Sequence, residues 1–193
     1  MARLDMPADA AMSAEQAAVC AEVVAGKRGK VPAPMIAWLR NPELARRGQA
    51  VGELLRFDTT LEPPLCEMAI LICGRHWSSH HEWTAHKALA LKAGLSADII
   101  EAIAARRVPD LPDGRYQAVH EVATTLLATG RVPAPLYGRA LSALGERGMV
   151  ELVALLGYYC MVSLTLNAFE LGLPGNAAPE LQDPAFLPAA PAP

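Results

Sequence analysis

Aromatic residues make up only 5% of this 193-residue chain and charged residues 19%, against 52% hydrophobic. With so little charge and so much apolar material the bulk of the chain is not disordered, and its length fits one domain with a proper interior. Strand signals are missing too. No stretch alternates with period two, and Ala and Leu outnumber the β-branched and aromatic residues. Lys and Arg are few and scattered at a formal net charge of −3, which argues against a nucleic-acid surface. The four cysteines, Cys20, Cys66, Cys73 and Cys160, form no CxxC pair and no dense framework. They read as free, buried thiols of a reducing compartment, not as a disulfide scaffold. Phosphate-cradling glycine loops, GxSxG elbows and Rossmann fingerprints are all absent. The expected class is all-α.

The opening MARLDMPADA carries acidic residues and no apolar core segment, so it does not read as a signal peptide and a cytoplasmic location is expected. Leu152 to Phe169 is uncharged and long enough to raise a membrane reading. Glu151 and Glu170 close its ends, Ser163, Thr165 and Asn167 interrupt it, and no cationic flank follows. A helix buried all round, between subunits, is the expectation, with no membrane partner.

Helix signals divide the chain. Ser13 with Gln16 forms a capping box for a first helix to about Ala25, and GKRGKVPAP is a loop. A second block begins near Pro34 and is reset at Asn41-Pro42. Glu62-Pro63-Pro64 opens a third block running through RHWSSHHEWTAHKALALKAGL to Gly94, and Ser96 caps a short helix over Ala97 to Arg106. Further helices are expected over Gly114–Thr129, Pro135–Leu144 and Met149–Leu171. The organisation is thus an N-terminal helix and linker (1–31), a helical domain (32–173) and a Pro/Ala-rich tail (174–193) that wraps a neighbour or stays mobile. CEMAILICGRHWSS (66–79) and VELVALLGYYCMVS (150–163) align without gaps, Glu67 on Glu151 and Ser79 on Ser163, which suggests a duplicated helical unit.

Chemistry concentrates in the first copy. His76, His80, His81 and His86 lie within eleven residues, with Glu82 among them. Glu82 and His86 are i and i+4 on a helix, a spacing that lets a carboxylate orient an imidazole for proton transfer. Glu67 enters from an apolar run, where burial is expected to lift its pKa. Other readings compete: a solvated histidine face, a metal held by His76, His80 and His81, or Glu67 as a core carboxylate with no reaction to serve. Trp38, Trp77 and Trp83 fall at helical positions that suit a core.

At Glu67, MAILICGRHW, HHEWTAH and ALALKAGLSADIIEAI the chain resembles the carboxymuconolactone decarboxylase family, which includes the alkyl hydroperoxidase D-like proteins. The likeness extends loosely over residues 32–172. In the peroxidase branch a glutamate is followed by Cys-x-His-Cys and a further histidine. Carried onto this chain, these positions fall on Glu67, Ser79, His81, Glu82 and His86. The acid–base groups are kept, both redox sulfurs are replaced, and neither Cys66 nor Cys73 sits at a matching position, so thiol peroxidase activity by disulfide cycling is not expected. The resemblance implies an all-α, alkyl hydroperoxidase D-like bundle assembling as a homotrimer or homohexamer. It implies a cofactor-independent lyase that decarboxylates a small carboxylated lactone or related acid of aromatic catabolism. His86 is the expected general acid oriented by Glu82, with Glu67 and His81 completing the relay. Arg75 is a candidate carboxylate clamp, with Ser79 and Trp83 as further substrate contacts. The alternatives are an atypical oxidoreductase using the His76/His80/His81 metal set and a non-catalytic binding module.

Overall fold

The computed structural model describes residues 2–173 and 178–182. Among them the secondary structure is helical throughout, with no strand, so the all-α class holds. α1 (Ala14–Ala25) starts at the Ser13 capping box: Gln16 N–H donates to Ser13 Oγ, and Ser13 N–H to the Gln16 side chain. α2 (Met35–Trp38) is a single turn, and α3 (Pro42–Phe57) starts where Asn41 accepts from Leu44 N–H at 3.1 Å. α4 (Pro63–His76) and α5 (His80–Lys92) follow, then α6 (Ala97–Ala104), α7 (Gly114–Thr129) and α8 (Ala134–Ala168).

α4 is the axis of the molecule. Every residue from Leu65 to Arg75 is buried, because α5, α6, α7 and α8 all pack around it. A helix without a polar face is stable only where neighbours cover it on all sides. The expected continuous block from Glu62 to Gly94 is broken here. Ser78 takes a left-handed conformation (φ 45°), and Ser79 N–H returns to the Gly74 carbonyl at 2.8 Å. That tight turn folds α5 back along α4 as a helical hairpin, bringing residues before and after the turn face to face.

α8 holds the expected break. Gly145, at φ 72° and ψ 170°, interrupts an otherwise continuous run, a conformation that glycine adopts at little cost. The uncharged stretch beyond it has the length and apolarity of a membrane span, yet packs on α3, α4, α5 and α7. Most of the Pro/Ala-rich tail lies outside the described residues. Within 178–182, Leu181 is buried in the core and Glu180 pairs with Lys87 of α5, so this part covers its own chain.

Candidate active site

The α4–α5 hairpin sets Glu67 against His86. Glu67 Oε2 accepts from His86 Nδ1–H at 2.6 Å, and Glu82 Oε1 accepts from His86 Nε2–H at 2.8 Å. The Glu82–His86 contact follows from one helical turn of α5. The Glu67 contact exists only because the turn at Ser78 reverses the chain. Two further elements complete the cluster. Arg56, in the last turn of α3, donates from Nη2 to Glu67 Oε1 at 3.2 Å. Tyr159 of α8 packs its ring edge-on against the imidazole, with its hydroxyl 3.5 Å from His86 Nε2.

These contacts decide the charge states. Burial disfavours a charged imidazole, but the Glu82 charge and the hydrogen bonds from both carboxylates outweigh it, and the His86 pKa is raised to about 9. His86 is therefore an imidazolium at neutral pH. Burial likewise opposes ionisation of Glu67, yet the bond and charge of His86, together with Arg56, hold its carboxyl below the ordinary value. That corrects the expectation of a raised Glu67 pKa. A carboxylate with two cationic partners stays ionised however deeply it is buried. The Tyr159 hydroxyl is pushed well above its ordinary range, chiefly by burial, and stays protonated.

His86 and Glu82 form part of the wall of a cavity of about 470 Å3. Arg28, Lys30, Arg56, His81, Tyr158 and Tyr159 also line it, so three cations share its wall with apolar Val31, Pro32 and Pro34. His81 donates from Nδ1 to the Gly172 carbonyl.

The structure thus brings Glu67, Glu82 and His86 into contact, with His81 on the wall of the cavity that Glu82 and His86 also line. It does not bring Arg75, Ser79 or Trp83 to this cavity. Arg75 lies about 12 Å further along α4 than Glu67, where its Nε donates to the Ala104 carbonyl and its Nη1 to Ser78 Oγ. Ser79 stands at the start of α5, fully buried, its Oγ without a hydrogen-bond partner. Trp83 is buried on the side of α5 that faces α6. As for metals, His76 packs edge-on against Trp77 and His81 is tied to Gly172. No group of three or more His, Cys, Asp or Glu among the described residues is arranged to hold an ion.

Arg28, Lys30, Arg56 and the two tyrosines escape sequence reasoning. The Tyr158-Tyr159 pair interrupting an apolar run was the one available signal, since buried tyrosines seek a polar partner. No protein-family model and no curated protein matches this chain.

Proposed function

We propose that this protein is a cofactor-independent lyase of the carboxymuconolactone decarboxylase type, acting on a small carboxylated lactone or related acid, with an alkyl hydroperoxidase D-like bundle as its scaffold. One observation carries the reading: an imidazolium held between two carboxylates, beside a cavity that Arg28 and Lys30 help to line. Those cations suit an anionic substrate, and Arg28 takes the clamping part first expected of Arg75. Decarboxylation leaves an electron pair that the lactone carbonyl delocalises, and the carbon then needs one proton. His86 supplies it, passing the Nε2 proton through Glu82 Oε1, 2.8 Å away at the cavity wall. Glu67 and Arg56 keep the ring in place while its charge changes, and His81 at the cavity wall relays a proton back from water. The products are CO2 and the protonated enol lactone.

A second copy of the chain is the proposed covering of α8. Val150 (69% exposed), Val153, Gly157, Met161 and Leu164 lie along one outward face of that helix, an apolar stripe suited to a homotrimer or homohexamer. Four free thiols fit a cytoplasmic location.

The test is CO2 release from 4-carboxymuconolactone by wild type and His86→Ala. Release that falls at least a hundredfold in the variant supports both reaction and site. No release from wild type overturns the lyase reading, and a fall below about tenfold overturns the role of His86. Light scattering of the same protein reports the oligomer, and a monomer mass removes the α8 interface.

A further inference from the structure

Two cysteines 87 positions apart in sequence meet in the fold. Cys73, on the buried side of α4 that faces α8, lies with its Sγ 3.7 Å from Cys160 Sγ. Cys160 is half-buried, whereas Cys73 has no exposure. The Trp77 indole N–H donates to Cys160 Sγ at 3.2 Å, and Trp77 is itself held by Asn167 Nδ2, which donates to its carbonyl at 2.8 Å. Cys160 Sγ thus accepts from the Trp77 indole and belongs to a half-buried residue, while Cys73 sits behind it in the core with its Sγ 3.8 Å from the Leu156 carbonyl.

We propose that Cys73 and Cys160 form a peroxide-reactive dithiol, separate from the Glu67–His86 site, in which Cys160 attacks a small hydroperoxide and Cys73 resolves it as a disulfide joining α4 to α8.

The environment of the four thiols sorts their roles. The hydrogen bond with Cys73 outweighs burial and, with the Trp77 N–H, lowers the Cys160 pKa to about 6. That shift favours the thiolate of Cys160, the form that attacks peroxides. Burial pushes Cys66 up to about 12, and burial together with the charge of Asp9 raises Cys20. Cys73 is raised as well, first by its bond to the Cys160 sulfur and then by burial, so it waits as a protonated thiol.

The steps balance. The Cys160 thiolate attacks one oxygen of ROOH, the O–O bond breaks, and RO− takes a proton from water and leaves as ROH, giving Cys160 sulfenic acid. With the negative charge on Cys160 gone, Cys73 loses its proton more readily and attacks the sulfenic sulfur. The S–S bond forms, and the hydroxide released takes the Cys73 proton as water. In sum, ROOH and two thiols give ROH, one disulfide and water. Closing the sulfurs from 3.7 Å to the bonded distance of about 2 Å needs side-chain rotation and a small approach of α4 and α8. A dithiol reductant returns the pair to the thiol state.

The experiment treats reduced full-length protein with about two equivalents of hydrogen peroxide, followed by alkylation, intact mass and peptide mapping. The expected result is loss of two alkylatable thiols and a single Cys73–Cys160 cross-link. Cys160→Ser abolishes peroxide consumption, and Cys73→Ala yields a dimedone-trapped sulfenic acid at Cys160 without a disulfide. Cys20→Ser/Cys66→Ser, which leaves the interior pair untouched, forms the same link as wild type and carries the test if Cys73→Ala does not fold. A link through Cys20 or Cys66, accumulation of sulfinic acid at Cys160 in place of the disulfide, or no thiol loss overturns the proposal. Glu67→Gln oxidises like wild type, so this outcome is independent of any decarboxylase activity.

Discussion

The two echoed segments begin with the same acid and put it to opposite uses. Glu67, near the start of α4, turns into the interior and meets His86 and Arg56. Glu151, at the matching place in α8, accepts from Thr60 N–H at 2.7 Å, from Thr60 Oγ1 at 2.6 Å and from Arg147 Nε at 2.7 Å. It clasps the loop after α3 to α8 and has no imidazole near it. The backbone setting is similar, an acid leading an apolar helix. The difference lies in what packs opposite. α5 returns along α4 and sets His86 against Glu67, whereas the groups set against Glu151 are Thr60 and Arg147. A carboxylate comes to hold an imidazole through what packs opposite it, not through its own position in the helix.

The largest test of that contrast is a pair of isosteric changes. Glu67→Gln removes one of the two carboxylates that hold His86 as an imidazolium, and decarboxylation is expected to fall about 10²- to 10⁴-fold. Glu151→Gln should leave turnover within about threefold while lowering stability by about 1–3 kcal/mol through its weakened clasp. Equal losses of turnover in the two variants would erase the distinction.

The same contrast predicts a pH dependence. His86 carries a folded-state pKa of about 9, above its ordinary 6.5. Its contribution to stability is therefore complete below about 6.5 and is lost as pH rises through about 9. Glu67, held below its ordinary value, contributes the other way, and its share is lost only in acid. Thermal melts from about pH 6 to 10 should show wild type losing stability faster than His86→Gln on the alkaline side. An NMR titration of the His86 ring with a midpoint near its ordinary value would contradict both.

A smaller effect separates two glycines facing these helices. A Cβ at Gly52 of α3 would press into the Tyr158 hydroxyl and come within 2.6 Å of Arg28 Nη2. Gly52→Ala is expected to cost about 1–3 kcal/mol and to disturb the cavity wall, read as a lower Tm and a raised KM. Gly74, the position that aligns with Tyr158, has its nearest neighbour at 3.6 Å, an ordinary contact. Gly74→Ala should instead stabilise α4 by about 0.5–1 kcal/mol. Smallest of all is Ser79→Ala. Its buried, unpartnered hydroxyl is expected to be dispensable, with stability unchanged or up by less than about 1 kcal/mol and turnover unaffected. A tenfold loss of turnover would return Ser79 to the substrate site.

Much of this fold is legible before any coordinates. Ser13–Gln16 and Asn41 cap where local hydrogen bonding says they must, and the glycine break in α8 stands where the helix signal lapses. The Glu82–His86 pair is equally local, one turn apart. The turn at Ser78 is less visible, because a left-handed serine carries no sequence mark comparable to glycine. Residue type and nearness in sequence suggest Arg75 as a carboxylate clamp. Two turns of helix beyond Glu67 it reaches α6, where the Ala104 carbonyl occupies it. Arg28, Arg56 and Tyr159 arrive from the α1–α2 loop, α3 and α8, and nothing short-range announces that they converge.

The sequence by itself determined the all-α class, the helix starts and the one carboxylate that shares a helical face with His86. All three depend on hydrogen bonds and side-chain spacing within a few residues. Only the tertiary structure decided that Glu67 and not Glu151 faces the imidazole, that Glu67 is held ionised, and that Cys73 lies against Cys160. Those facts depend on which helices pack together, and burial and charge at a packed interface are set by residues far apart along the chain.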